Sequence, residues 1–213
     1  MRFFIKLSYQ GTNYHGWQVQ PNVNTLQQEV NNALSLILNE KIEVTGAGRT
    51  DTGVHAKKMF AHFDYYIDFD IQHLVFKLNS FLPGDITILD IFRVQNDANS
   101  RFDALSRTYQ YYIIHRKDPF NKNAYLIKKD LDLGAMNEAC QHLLGKKDFS
   151  SFSKANSQNF TNDCDVVLAN WELVDYGLIF TIKSNRFLRN MVRAIVGTLI
   201  DIGCGKMSAD NLI

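Results

Sequence analysis

The stretch GAGRTDTGVHA, residues 46–56, places the carboxylate of Asp51 two positions after the guanidinium of Arg49, among glycines and without any apolar period. Glycine permits backbone conformations and close approaches that other residues cannot adopt. A functional Asp51 needs a partner that keeps it ionised and oriented, and a guanidinium within hydrogen-bonding reach does both. The alternative is a tight connection in which Arg49 and Asp51 form a surface ion pair of little energetic worth.

A second candidate is the arginine-rich stretch RFLRNMVRAIVG. Arg186, Arg189 and Arg193 recur at i, i+3 and i+7, a spacing that predicts one shared helix face. Arginine rather than lysine favours bidentate contact with phosphate or carboxylate. The face is either a solvated basic edge of an amphipathic helix or a phosphate-facing stripe with Arg193 turned into a site. The predicted buried face consists of Leu188, Met191, Val192, Ile195 and Val196.

Aromatic residues form a third group, and most are predicted to be core or half-buried sheet residues because aromatic side chains pack well on strands. Exposed aromatic rings beside arginine or lysine can also stack on single-stranded bases. Tyr109 is the strongest candidate for that role because it lies close to Arg107. The other members are Tyr9, Tyr14, Trp17, Tyr111 and Tyr112.

Metal and cofactor motifs are absent from the sequence. His55 and His62 could join Asp51 at a metal, but their seven-residue spacing has no standard ligand geometry, so we interpret both as structural and predict no metal. The three cysteines form no CxxC pair. Without a P-loop, GxGxxG, GxSxG or HExxH pattern, nucleotide hydrolysis, nicotinamide chemistry and serine hydrolysis lose support.

Composition limits the class of protein. The 213 residues are 46% hydrophobic, and 23 basic against 22 acidic residues give a net charge of +1, so any basic surface must be local. The N-terminus has no signal-like apolar region, and the longest apolar stretch, MVRAIVGTLIDIG, falls short of the ~20 residues that a spanning helix needs. We expect a cytoplasmic protein without a membrane segment.

Hydrophobic periodicity predicts the elements that position these residues. In the first half, an alternating pattern begins at residue 3, and a T-x-x-Q capping box at Thr25 opens a helix. Two strands, a second helix and a further strand complete a β-α-β-β-α-β order. The ranges after the first strand are 25–38 (helix), 42–45, 58–65, 71–81 (helix) and 86–94.

The second half repeats the order but lacks its last strand, and Ser208 resembles the cap of another helix, so we expect the sequence to be truncated at its C-terminal end. Residues 116–132 are predicted to be a long connection. The predicted fold is α+β, with two ferredoxin-like halves, 1–104 and 105–213, joined into one mixed, mainly antiparallel sheet with helices on one face. The second-half ranges are 108–115, 133–144 (helix), 165–174, 178–184 and 186–203 (helix).

Seven stretches, taken together and in this order, resemble the TruA-type tRNA pseudouridine synthases over residues 9 to about 203. GxGRTDxGVHA combined with FLxxMVRxxVG is very specific. The matching stretches are YQGTNYHGWQVQ, TLQQEV, GAGRTDTGVHA, LNSFLPGDI, SRTYQYYI, GKKDFSSF and RFLRNMVRAIVG.

The resemblance implies an isomerase that converts uridine to pseudouridine in the anticodon stem-loop of tRNA, at positions 38 to 40, without metal or organic cofactor. It places the catalytic aspartate on Asp51 and leaves open whether the carboxylate attacks C1′ of the ribose, attacks C6 of the base or abstracts a ribose proton. Arg193 would pair with Asp51, Arg49 would help displace or replace the target base, and Tyr109 would stack on the uracil.

By the same resemblance the protein is a homodimer that binds the anticodon arm of tRNA in a cleft on the sheet face opposite the helices. Arg186 and Arg189 are expected at the RNA backbone because of their spacing and of the chemistry of arginine. One departure is Lys147, which stands where the family usually has a histidine. Two alternatives remain open, a non-catalytic RNA-binding protein with the same duplicated fold and a structural or assembly protein. Neither needs Asp51.

Overall fold

A computed structural model of the chain describes residues 1–154 and 160–212. The chain divides into two compact units, Met1–Ala104 (unit 1) and Leu105–Ile213 (unit 2). Each unit combines helices with its own sheet, so the predicted α+β class is confirmed. In the described ranges, no helix is both long and apolar enough to cross a bilayer.

Unit 1 has the predicted β-α-β-β-α-β order, and its four strands pair antiparallel in the order β2-β3-β1-β4. The second helix and the last strand have the predicted bounds, whereas the strand predicted over 42–45 is reduced to two residues. The elements are β1 (Arg2–Tyr9), α1 (Leu26–Leu38), β2 (Thr45–Gly46), β3 (Ala56–Asp64), α2 (Ile71–Phe81) and β4 (Ile86–Val94).

The core of unit 1 follows from the two periodicities read in the sequence. Alternate residues of β1 are buried, as expected for a strand with one covered face. Apolar residues of α1 recur every three or four positions and pack in the same cluster. The buried set from these two elements is Phe3, Ile5, Leu7, Tyr9, Leu26, Val30, Ala33 and Leu34.

Unit 2 has two short strands that the sequence did not predict, β6 within the expected long connection and β7 after the third helix. Its sheet has the order β6-β5-β9-β8-β7 and is antiparallel except for the β5–β6 pair. The elements are β5 (Arg107–Ile114), β6 (Tyr125–Leu126), α3 (Leu133–Gln141), β7 (Gly145–Asp148), β8 (Asp163–Val174), β9 (Gly177–Ser184) and α4 (Met191–Gly203).

The strands are hydrogen-bonded into two sheets, one in each unit, so the prediction of a single joined sheet is wrong for the described residues. Alternating patterns identify a strand but carry no information about its partner, and short edge strands such as β6 and β7 offer too few residues for any period to appear.

Two predicted helix caps are also not formed. Thr25 precedes α1, but its side chain makes no capping hydrogen bond and is buried. Ser208 precedes only a 3-10 turn, Ala209–Asn211, again without a side-chain cap. By contrast, Asp70 and Asp132 cap α2 and α3 by accepting from the amides of His73 and Ala135.

Candidate functional site

Asp51 lies in the loop between β2 and β3, residues 47–55, which we call the Asp51 loop. Its carbonyl accepts a hydrogen bond from the Val54 amide at 3.2 Å, which closes a turn with Gly53 in the left-handed region (φ 78°). The side chain of Asp51 is half-buried and Arg49 is exposed. Among the described residues neither takes part in a salt bridge, so the surface ion pair left open by the sequence is not formed.

The Asp51 loop is held on both sides of Asp51 by the main chain of the segment Tyr9–Trp17. The Trp17 amide donates to the Thr50 carbonyl at 3.1 Å, and the Gly53 amide donates to the Tyr14 carbonyl at 3.4 Å. Main-chain hydrogen bonds from one neighbouring segment therefore fix the backbone immediately before and after the carboxylate.

Glycines allow the main chains of the Asp51 loop and of the segment Tyr9–Trp17 to approach each other closely. A Cβ atom on Gly11 would lie 2.1 Å from the Val54 carbonyl oxygen, far inside contact distance. A Cβ atom on Gly16, which is at φ 86°, would lie 2.5 Å from the Thr50 carbonyl oxygen. The two backbones meet at separations that only glycine permits, which explains the glycines of YQGTNYHGW.

Side chains add further contacts at the junction between the Asp51 loop and the segment Tyr9–Trp17. The amide of Gly11 donates to Nδ1 of His55 at 2.9 Å. The Tyr9 hydroxyl is 3.1 Å from the Thr50 hydroxyl, and Tyr9 is buried. His55 therefore positions backbone, in agreement with the structural role that its sequence spacing indicated.

Asp85 ties a third stretch, LNSFLPGDI, to this junction. Its carboxylate accepts from the Tyr14 hydroxyl at 2.6 Å and from Nδ2 of Asn13 at 3.1 Å, and its carbonyl accepts from the Gln10 amide at 2.9 Å. Burial and the bond to Asp85 raise the pKa of Tyr14 well above its usual value, so the phenol stays a donor. Sequence reasoning did not identify Asp85 as a positioning residue.

His62, the other histidine that the sequence analysis interpreted as structural, supports the strand that leads into the loop. Nδ1 of buried His62 accepts from the Ser100 amide at 3.2 Å, and the Ser100 hydroxyl donates to the Thr45 carbonyl at 2.8 Å. Burial, aided by the positive charge of Arg2, lowers the pKa of His62 below its usual value. The imidazole is therefore a neutral structural acceptor.

In unit 2, Tyr109 is placed by the register of β5, opposite Ile182 of β9. Its half-buried ring meets the ring of Phe187 at a centroid distance of 5.1 Å and an angle of 90°. Phe187 belongs to RFLRN, so Tyr109 and the arginine-rich stretch lie side by side. Phe187 was missed as a positioning residue because an aromatic residue after an arginine carries no pairing signal.

Arg186, Arg189 and Arg193 do not share a helix face. Asn190 has φ 66°, a left-handed conformation that an α-helix cannot include, and α4 begins only at Met191. Of the three arginines only Arg193 is helical. Arg186 and Arg189 lie in residues 185–190, which we call the arginine-rich segment, so the prediction of one shared face is wrong.

Local bonds hold the arginine-rich segment. Nη1 of Arg107 donates to the Asn185 carbonyl at 2.9 Å, and the Asn185 side-chain oxygen accepts from the Asp165 amide at 2.9 Å. Nη1 of Arg186 lies 3.4 Å from the Thr161 hydroxyl, and the carbonyl of Arg189 accepts from the Lys154 amide at 3.1 Å.

Arg193 is exposed in the first turn of α4. Burial raises the pKa of Tyr111, and the nearby charge of Arg193 opposes that rise in part, so the guanidinium acts on the same sheet strand that carries Tyr109. Tyr109, Tyr111 and Phe187 all pack against the core cluster of unit 2, which includes Met191 at the start of α4.

Lys147 has a structural contact. It lies on β7 opposite Cys164, and its ammonium group donates to the carbonyl of His142 after α3. In the same stretch, Phe149 and Phe152 are buried. GKKDFSSF therefore fastens the edge strand to the core of unit 2.

Within residues 1–154 and 160–212, no group of three or more histidine, cysteine, aspartate or glutamate side chains is arranged to hold a metal ion. The described cysteines are free thiols, and burial raises the pKa of Cys140 to about 12 and that of Cys164 to about 11. Neither thiol is suited to nucleophilic chemistry.

Comparison with known proteins assigns a family to this arrangement. A family model described as tRNA pseudouridine synthase matches residues 139–213. The chain is 50% identical to tRNA pseudouridine synthase A of Bacteroides fragilis, covering 99% of this chain and 84% of that protein. It is 48% identical to the protein of the same name from Parabacteroides distasonis, with the same coverage, and 42% identical to that from Halalkalibacterium halodurans, covering 99% and 82%.

Proposed function

The chain belongs to the tRNA pseudouridine synthase A family, and on that premise we propose that it isomerises uridine to pseudouridine in the anticodon stem-loop of tRNA, at positions 38 to 40. The reaction breaks the N-glycosidic bond, turns the uracil and joins its C5 to the ribose. It involves no net oxidation or reduction, so side chains and binding energy are sufficient in principle.

Asp51 is the proposed catalytic residue. The observation that carries the proposal is the fixed main chain on both sides of Asp51, combined with a carboxylate that forms no salt bridge to a described residue. A preorganised carboxylate that forms no salt bridge to a described residue is available to a substrate. It can attack C1′ or C6, or remove a ribose proton, and each of these uses requires the ionised form.

The remaining residues are proposed to bind the nucleotide. Tyr109 stacks on the target uracil, with Phe187 holding its ring in place. Arg49, exposed in the Asp51 loop, takes the place of the displaced base. Arg193 supplies positive charge to the target site and is the proposed partner of Asp51.

Arg186 and Arg189 are the proposed contacts to the RNA backbone. They meet the phosphates from an irregular segment rather than from a helix, and Arg189 is exposed to solvent. Bidentate guanidinium groups suit phosphate oxygens.

We also propose that each unit is ferredoxin-like and that the protein acts as a homodimer in the cytoplasm. The cleft expected on the sheet face opposite the helices does not fit the proposed role of Tyr109, because Tyr109 lies opposite Ile182 and packs against the core that includes Ile195 of α4. The element order and strand order of unit 1 support the fold proposal. Sedimentation with and without tRNA tests the dimer.

The decisive experiment measures tritium release from tRNA labelled with [5-³H]uridine. We expect wild type to release tritium and Asp51→Asn to lose at least about 10³-fold in rate while still binding tRNA, because the amide keeps the shape but not the charge. Asp68→Asn changes an exposed aspartate of the same unit and serves as the matched control. Equal release by Asp51→Asn and wild type contradicts the catalytic assignment.

Binding without release by wild type would instead identify a non-catalytic RNA-binding protein. Arg193→Lys keeps the charge but loses the bidentate geometry, and we expect about a tenfold loss or more in kcat/KM. Full activity of this variant contradicts the proposed role of Arg193.

A further inference from the structure

A basic segment outside the proposed site lies between β5 and α3. We call residues 116–130 the basic loop. It contains β6, which runs parallel to the end of β5 and forms one edge of the five-stranded sheet. None of the residue roles proposed above involves this loop.

The basic loop carries the positive surplus of the chain. Five lysine and arginine residues and two aspartates fall within residues 116–130, so of the 23 basic and 22 acidic residues the rest of the chain holds 18 and 20. A near-neutral protein that binds a polyanion needs its cations concentrated in one place. The cations are Arg116, Lys117, Lys122, Lys128 and Lys129.

Local hydrogen bonds give the loop a defined shape. The Asp118 carboxylate accepts from the Phe120 amide and from Nδ2 of Asn121, each at 2.8 Å. These bonds hold the pKa of Asp118 below its usual value. The Ile127 amide donates to the Ile114 carbonyl at 2.9 Å and closes the base of the loop. The Asp118 oxygens are thus directed into the turn.

The cations themselves are available to a ligand. All five are exposed, and within the described residues none takes part in a salt bridge. Phe120, at the tip of the loop, is 93% exposed. Proteins that bind single-stranded nucleic acid commonly combine positive charge with exposed aromatic rings, as this loop does.

The loop adjoins the strand that carries Tyr109. Tyr125 of β6 is 53% exposed, and its ring contacts that of Tyr111 on β5 at a centroid distance of 6.4 Å. The basic loop is therefore anchored next to β5, on which Tyr109 of the proposed site also lies.

We propose that the basic loop binds backbone phosphates of the tRNA next to the segment that carries the target uridine. This inference rests on the proposed function for the identity of the polyanion. Lysine ammonium groups bind phosphates as point charges and do not distinguish between bases. The loop therefore contributes to the affinity for tRNA and to its orientation, whereas the residues of the proposed site select the uridine.

The test is a triple variant, Lys122→Ala with Lys128→Ala and Lys129→Ala, assayed for tRNA binding at several salt concentrations. We expect roughly tenfold weaker binding at moderate salt and a slope of log affinity against log salt that is shallower by about 0.9 for each phosphate that the variant no longer neutralises. Tritium release in single turnover at saturating enzyme should stay within about twofold of wild type, because no catalytic group has changed.

The matched control removes three exposed cations from other elements, Lys77, Arg93 and Lys146, by the same change to alanine. Lys146 lies on β7, at the opposite edge of the same sheet. The proposal requires the control to keep the wild-type affinity and salt slope. Equal losses in the two triple variants overturn the loop as a binding surface, since they would show that only total charge matters.

The wild-type results separate this inference from the proposed function. If wild type releases tritium and the two triple variants bind tRNA equally, the proposal for the basic loop is overturned and the proposed function is kept. Loop-dependent tRNA binding without tritium release overturns the proposed chemistry and keeps the loop. A wild-type protein that fails to bind tRNA overturns both.

Discussion

The Asp51 loop of unit 1 and the arginine-rich segment of unit 2 are positioned by different kinds of contact. Main-chain hydrogen bonds and glycine close approaches fix the first. The second is placed by the Tyr109–Phe187 ring contact, by a few side-chain bonds and by a left-handed residue before α4. Close main-chain contact leaves no room for an added atom, whereas side-chain packing accepts changes of similar volume. The two regions should therefore respond differently to substitution.

The largest effect is expected from Gly11→Ala. The new methyl group would meet the Val54 carbonyl oxygen at 2.1 Å, so the Asp51 loop must move. We expect the free energy of unfolding to fall by about 3 kcal/mol and tritium release to fall with it. Urea unfolding gives the stability, and hydrogen exchange over residues 46–56 shows whether the loop has opened.

Gly84→Ala is the matched control, because a Cβ atom there meets nothing within 4 Å. It should leave exchange of the Asp51 loop unchanged. Equal protection of the loop in Gly11→Ala and wild type would show that the main-chain contacts with the segment Tyr9–Trp17 do not position Asp51. The two units would then not differ in how they respond to substitution.

A smaller effect is expected from Phe187→Ala in unit 2. The half-buried ring packs on Tyr109, so its removal should lower the free energy of unfolding by about 2 kcal/mol and free the Tyr109 ring. We expect KM for tRNA to rise more than kcat falls. Phe187→Leu, which keeps most of the volume, should recover most of the stability. If it does not, this region tolerates substitution no better than the Asp51 loop.

Sequence periodicity predicted the long elements well, because α1, α2, β1, β4 and β9 each contain enough residues for a period to be visible. It failed where structure depends on tertiary contacts. The edge strands β6 and β7 are too short to show a pattern. The arginine spacing suggested a helix that Asn190 interrupts, and nothing in the residue types shows that a single left-handed position will occur there.

The residues of the candidate site also fall into those that the sequence predicted and those that it did not. Asp51, Arg49, Tyr109 and Arg193 were selected from motifs, since residue type and order carry that information. The groups that hold them in place were not, because the contacts of Asp85 with Tyr14 and of Phe187 with Tyr109 join residues more than 70 positions apart. Local sequence carries no signal for such pairs, and only the folded chain reveals them.

A pH effect should further distinguish the units. His62 has a lowered pKa in the folded state, so the unfolded chain takes up a proton first as the pH falls below about 6.5. Stability present at pH 7 is therefore lost progressively as the pH falls through the folded pKa. The supporting chain from His62 through Ser100 to Thr45 should loosen, and with it the base of the Asp51 loop.

Urea unfolding of wild type and His62→Asn between pH 7 and pH 5 measures this effect. The asparagine oxygen can still accept from Ser100, so the variant should fold and show a shallower fall in stability. Both histidines in the described part of unit 2, His115 and His142, are exposed and should add little. Parallel pH curves for the two proteins would contradict the role of His62.

The smallest effect is expected at Asn190, where the sign of the change is informative. If Asn190 stays at φ 66°, alanine should lower the free energy of unfolding by about 1 kcal/mol and glycine should be nearly neutral. If residues 186–190 were helical, as the arginine spacing predicted, alanine would stabilise the protein by about 0.5 kcal/mol and glycine would destabilise it. Urea midpoints of Asn190→Ala and Asn190→Gly, measured side by side, therefore decide whether Arg186 and Arg189 meet the RNA from a turn or from a helix face.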